Sequence, residues 1–129
     1  MKDLFDLYQA LKLKTKEEKE LISENDFEAL KEKLVQKNDL IELIDQINVQ
    51  QYFAKLAFSL NKKQLQAKKD SLAQLIKAIN TLQSQNIKAL ENKKKENKEK
   101  MISLYSREKS IKGYLNSDKY EAKFFDEKS

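Results

Sequence analysis

Glu17, Glu20 and Glu24 share one helical face near the N-terminus, and they are the closest this sequence comes to a metal-binding carboxylate cluster. The loop glycine of an EF-hand is missing beside them, as is the histidine that completes a carboxylate site in a helical bundle. The 129 residues contain no His and no Cys. A His-based triad, a thiol nucleophile, a zinc site of the usual kind and a disulfide are therefore all excluded. Carboxylates alone remain for acid–base work, and the sequence sets no pair of them apart. The expectation is a solvated acidic face, no metal, no cofactor, and a protein that binds rather than an enzyme.

The second charged feature is the tract Lys93-Lys94-Lys95-Glu96-Asn97-Lys98-Glu99-Lys100. Nucleic-acid binding would call for aromatic side chains among the lysines to stack on bases. Here Glu91 and Lys95, and Glu96 and Lys100, form i,i+4 pairs in the favourable order, and no aromatic intervenes. The tract reads as a self-paired, solvated helix segment, although Lys94 and Asn97 interrupt the apolar stripe. The net charge of +5 is unevenly divided. Residues 1–50 carry eight lysines against twelve acids, net −4, and residues 51–129 carry eighteen bases against nine acids, net +9. Two such halves attract each other, so nucleic acid is not an expected partner. No apolar run approaches the length of a membrane span, and MKDLFDLYQALK is amphipathic rather than a leader. With cysteine absent, these features point to the cytoplasm.

One glycine and no proline in the whole chain leave nothing to punctuate strands, so the fold class is all-α. Leu4, Tyr8, Leu11, Thr15 and Ile22 trace one helical face, with Leu7 and Leu21 beside it. The pattern stops at Ser23-Glu24-Asn25-Asp26, where Asn25 and Glu28 have capping-box spacing, and restarts through Phe27, Leu30, Leu34, Ile41, Ile44 and Ile47. Val49, Tyr52, Phe53, Leu56 and Leu60 suggest a short helix that turns the chain. Asn48/Gln51, Asn61/Gln64 and Asn80/Gln83 repeat the capping-box spacing. Ile76, Ile79, Gln83, Ile87, Leu90, Met101, Leu104 and Ile111 form a stripe that resumes in register across its polar gap. Residues 62–112 are accordingly expected as one helix, closed by Gly113 at its C′ position.

The expected architecture is an antiparallel helical hairpin, or small bundle, in residues 1–112. Its two long arms are about 1–47 and 62–112, its connector is 48–61, and an aromatic tail occupies 113–129. A two-helix hairpin has a thin core, so the connector packs at the turn end or the chain dimerises. Monomer and homodimer both remain open. Two helices cannot cover every side of each other, which leaves Leu72, Leu75 and Ile87, with Leu104, Tyr105 and Ile111, as candidates for a groove that takes a guest helix. The tail places Tyr114, Tyr120, Phe124 and Phe125 in a polar context. These aromatics either pack back on the hairpin or serve a partner.

The segment SENDFEALKEKLVQKNDLIELIDQI resembles the N-terminal arm of flagellar export chaperones of the FliT/FlgN type. Ser110-Ile111-Lys112-Gly113-Tyr114 is similar to the end of that family's last long helix, with Gly113 in place of the usual alanine. Ala122-Lys123-Phe124-Phe125-Asp126-Glu127-Lys128 is similar to a Phe-rich terminus in the family, and the short chain favours the FliT-like branch. The resemblance implies a cytosolic chaperone that binds a helical terminal segment of a flagellar secretion substrate, either the filament-cap or a hook–filament junction protein. It would prevent premature assembly and deliver that substrate to the export apparatus, with the export ATPase or gate as further partners. In the FliT branch it also implies that the C-terminal segment masks the binding surface. The alternatives are a structural coiled-coil or scaffolding protein and a basic helical protein associated with nucleic acid.

Overall fold

The computed structural model describes residues 3–93 and 98–115, and the side chains of all of these but 98–101. Among the described residues every regular element is a helix: α1 (Leu4–Ser23), α2 (Phe27–Asp45), α3 (Val49–Leu56), α4 (Lys62–Lys93) and α5 (Lys98–Leu115). The all-α expectation holds, and the short helix α3 lies within residues 48–61. Each of the two expected long arms is instead folded into a hairpin of its own.

The first reversal is set by local chemistry. Asn25 takes a positive φ of 59°, which asparagine tolerates better than most residues. This lets Asp26 N–H reach Leu21 O (2.9 Å) and Asn25 N–H reach Ile22 O (3.1 Å), the bond pair of a Schellman ending. The cap of α2 is Asp26, whose side chain accepts from Ala29 N–H at 3.2 Å, one residue later than the Asn25/Glu28 spacing predicts. The sequence pattern predicts one helix over 62–112, but α4 and α5 are two helices packed side by side, with Gln83 bonded to Glu108 O. The polar gap in the stripe explains the break. No apolar side chain is available there to hold a straight helix against a neighbour, and packing decides helix stability more than propensity does. The return of the stripe in register reflects one buried face on each of two helices.

Cross-helix bonds give the topology. Lys14–Gln36 and Lys33–Glu17 run α1 antiparallel to α2. Lys68 over the Phe5 ring, Asn86 on Thr15 O and Lys93 on Ile22 O run α4 parallel to α1. Gln83 on Glu108 O joins α4 to α5, and Tyr114 on Asp45 joins α5 to the end of α2. Going round the bundle the order is α1, α2, α5, α4, with α3 carrying the chain across the diagonal from α2 to α4. Asn48 and Asn61 supply the caps that the sequence predicts: Asn48 accepts from Gln51 N–H, and Asn61 exchanges bonds with Gln64 in a complete capping box. Asn80/Gln83 lies inside α4 and caps nothing. Gly113 is likewise interior to α5, which continues to the buried Leu115, so it is not a C′ residue.

The core runs the length of the bundle. Leu4, Leu7, Tyr8, Leu11 and Ile22 of α1 pack with Leu30, Leu34, Leu40 and Ile44 of α2, and with Leu72, Leu75, Ile79 and Leu90 of α4. Leu104, Ile111 and Leu115 close the fourth side, and Val49 and Phe53 of α3 plug one end. Each fully buried Leu or Ile contributes about 1.5–3 kcal/mol relative to exposure.

Candidate functional site

At mid-height, all four long helices place a polar residue at a buried core position. Thr15 and Glu18 come from α1, Lys37 from α2, Gln83 and Asn86 from α4, and Glu108 from α5. Each follows its helix's apolar spacing: Glu18 lies between Leu11 and Ile22, Lys37 between Leu34 and Ile44, and Glu108 between Leu104 and Ile111. Lys37 Nζ is the hub. It donates to Glu18 Oε1, donates to Gln83 Oε1 at 2.6 Å, and stands 3.5 Å from Glu108 Oε1. Gln83 then donates from Nε2 to Glu108 O at 3.2 Å. Beside the hub, Asn86 Nδ2 donates to Thr15 O (2.9 Å), and Thr15 Oγ1 donates to Leu11 O (2.7 Å).

The electrostatics fix a protonation state. Two carboxylates and one ammonium leave an excess negative charge in a site with no solvent exposure. Glu18 Oε2 and both Glu108 carboxyl oxygens accept no hydrogen bond among the described residues, although Lys37 stands 3.5 Å from one of them. Burial, followed by the neighbouring Glu108 carboxyl, pushes Glu18 up to about 9, against the opposing pull of Lys37. At neutral pH Glu18 therefore favours its protonated form, which provides a donor within the carboxyl pair. The expectation that no pair of carboxylates stands apart is thus overturned. Residues 90 positions apart in sequence are brought together by the fold, and a single helical face could not reveal them.

The acidic face behaves differently. Glu17 pairs with Lys33 at 2.7 Å, while Glu20 and Glu24 are exposed. Among the described residues no three His, Cys, Asp or Glu side chains come together as a metal site. Part of the basic tract has a structural role. Lys93 Nζ donates to Ile22 O and Asn25 Oδ1, so it closes the C-terminal end of α1 from a neighbouring helix. The rest of the tract lies outside the residues whose side chains are described.

The candidate guest-binding residues do not form an exposed groove. Leu72, Leu75, Leu104 and Ile111 are buried in the core, because the second hairpin covers the side that a two-helix arrangement would leave open. Ile87, Tyr105 and Tyr114 are half-buried, and Tyr120, Phe124 and Phe125 lie outside the described residues. An opening exists elsewhere. Of the four neighbouring pairs of long helices, α2 and α5 are the least engaged. A cleft of about 200 Å³ separates them, lined by Phe27, Glu28 and Lys31 of α2 and by Ser103, Leu104 and Arg107 of α5. Phe27 and Leu104 give it an apolar floor, and Glu28, Lys31 and Arg107 give it a charged rim. Of the predicted site residues that are described, Leu104 alone lines it.

Comparison with family models, with curated proteins and with solved structures finds no match to this chain. Among the described residues no helix is long and apolar enough to cross a membrane.

Proposed function

We propose that the chain works by binding rather than catalysis, as a cytosolic chaperone that holds an amphipathic helix of a secretion substrate along the α2/α5 seam. The observation that carries this reading is the cleft between those two helices, the least engaged of the neighbouring pairs of long helices among the described residues. A guest helix would set Leu or Ile side chains on Phe27 and Leu104 and leave its polar edge to Glu28, Lys31 and Arg107. The polar mid-layer favours the same view. Replacing apolar packing by a buried ionic cluster weakens the association of the helices around it, which lowers the cost of parting α5 from α2. The sequence motifs supply the substrate class: the helical terminus of a flagellar filament-cap protein, or of a hook–filament junction protein, delivered to the export ATPase or gate.

The spacer alternative expects the apolar stripe to be buried between two chains. Leu72, Leu75, Ile79 and Leu90 are instead buried by the chain's own helices, which favours a self-contained binding module. Calorimetric titration with helical C-terminal fragments of both substrate types, at low and high salt, tests the proposal. A saturable complex of nearly equal affinity at the two salt concentrations is expected. A complex that dissolves steeply with salt would assign the binding to the charged rim rather than to apolar packing in the cleft, and no complex at all would remove the chaperone reading.

A further inference from the structure

We propose that the end of the bundle built from α3 and the first turn of α4 docks on an anionic membrane surface, with Phe58 as its apolar anchor. Phe58 is 94% exposed, far more than any other large apolar side chain among the described residues. A closely bonded turn presents it: Phe58 N–H donates to Lys55 O (3.2 Å), Ser59 N–H to Leu56 O (3.1 Å) and Leu60 N–H to Leu56 O (3.0 Å). The Asn61/Gln64 capping box then fixes the start of α4. The ring is therefore held out by ordered backbone, so little further ordering is needed to bury it.

The stretch of chain that carries it is basic. Residues 46–69 contain five lysines (Lys55, Lys62, Lys63, Lys68 and Lys69) and no acidic residue. Lys68 and Lys69 lie over the Phe5 and Phe53 rings, whereas Lys55, Lys62 and Lys63 are exposed and enter no ion pair among the described residues. Three carboxylates reach this end from α1 and α2, Asp3, Asp6 and Asp45, and the five lysines outnumber them. Asp45 accepts from Tyr114 at 3.4 Å, and Asp3 lies against the Tyr52 hydroxyl. One apolar side chain at the tip of a turn, with exposed lysines three residues before it and four and five after, matches a headgroup layer, where the ring enters the acyl boundary and the ammonium groups stay with anionic lipid. Single-stranded nucleic acid would call for a row of stacking faces. The neighbouring rings are instead committed to one another, Phe5 with Tyr52 at 6.4 Å and Tyr52 with Phe53 at 5.2 Å.

The test is co-sedimentation of the full chain with vesicles of phosphatidylcholine alone or mixed with phosphatidylserine. Binding to the mixed vesicles only is expected, with a loss of about five-fold for each of Lys62→Gln and Lys63→Gln. Phe58→Ser is expected to cost about ten-fold and to leave thermal unfolding unchanged, since the ring touches little of the fold. Lys16→Gln and Lys19→Gln, exposed on α1, should have no effect. Equal binding to both vesicle types, indifference to Phe58→Ser, or tighter binding to a single-stranded oligonucleotide than to vesicles would each overturn the proposal. None of these outcomes bears on the α2/α5 seam, which lies on a different part of the bundle.

Discussion

Lys37 on α2 donates to Gln83 on α4 at 2.6 Å, joining across the bundle axis two helices that are not neighbours. The bond exists because α3 carries the chain along the diagonal, and it places a single ammonium where all four long helices converge. Around that ammonium, the two carboxyls and the amide have little choice of partner. A shift of α5 by one residue would turn Glu108 away from Lys37 and leave charge unpaired in the core. The polar layer therefore specifies the register of the two hairpins, at some expense in stability.

The retained proton makes stability depend on pH in an unusual direction. Glu18 holds its proton up to about 9 when folded, against an ordinary value of 4.5. Between those values the folded state binds one proton more than the unfolded state, so stability falls as pH rises. Its contribution is complete below the unfolded value and is lost as pH rises through the folded one. The slope is at most about 1.4 kcal/mol per pH unit. Urea unfolding at mildly acidic and mildly alkaline pH should show this decline in the wild type. In Glu18→Gln, which keeps an amide in place of the protonated carboxyl, it should be largely absent. Parallel declines in the two proteins would show that Glu18 is not the group holding the proton.

Removing the hub should be costly, and removing the whole cluster should not. Lys37→Met leaves Glu18 and Glu108 with no cation and is expected to destabilise by about 3–5 kcal/mol. Combining it with Glu18→Leu and Glu108→Leu converts the layer to apolar packing and should restore stability to the wild-type level or above. Denaturant midpoints of the single and triple variants decide the matter. A triple variant as unstable as Lys37→Met would mean that the layer stabilises the fold by itself.

How far this layer was legible in the sequence follows from its members. Thr15 and Gln83 are read correctly as parts of apolar stripes, because neither carries a charge. Glu18, Lys37 and Glu108 sit at equally regular positions on their helices, but in a chain with 36% charged residues a lysine or glutamate is read as solvent-facing by default. Their spacing was the available signal: Glu18 is three residues after Thr15 and four before Ile22, and Lys37 is three after Leu34 and seven before Ile44. The reversals were legible unequally for a similar reason. Residues 24–26 carry the asparagine and aspartate that make a turn, whereas the break after Lys93 is marked only by missing apolar residues. The α2/α5 cleft had no sequence signal, since Phe27, Lys31, Leu104 and Arg107 meet only after both hairpins have formed.

Lys93 closes α1 from outside its own helix, with its Nζ facing Ile22 O, Ser23 O and Asn25 Oδ1. Lys93→Met keeps the aliphatic stem and removes the donor, so it should cost about 1 kcal/mol in thermal or urea unfolding. Lys88→Met, exposed on the same helix, should change stability by less than about 0.5 kcal/mol. Equal effects would assign Lys93 to general surface charge.

Gly113 offers the opposite sign. It lies within α5 with ordinary negative φ, and an added Cβ would meet nothing within 4 Å. Gly113→Ala should therefore stabilise the protein by about 0.5–1 kcal/mol, through the lower entropy of the unfolded chain. A destabilised variant would point to a left-handed backbone at this position, as the C′ assignment requires.

The guest-binding reading depends on α2 and α5 parting, and the chain's lack of cysteine makes that directly accessible. Lys31→Cys and Arg107→Cys place one thiol on each side of the cleft, to be joined by a cleavable thiol cross-linker. The central measurement is calorimetric titration of this variant with the helical fragment of the filament-cap protein, before cross-linking, after it, and after cleavage. The account expects saturable binding that disappears when the seam is tied and returns when the link is cut. Equal binding in all three states, or binding in none, would contradict it.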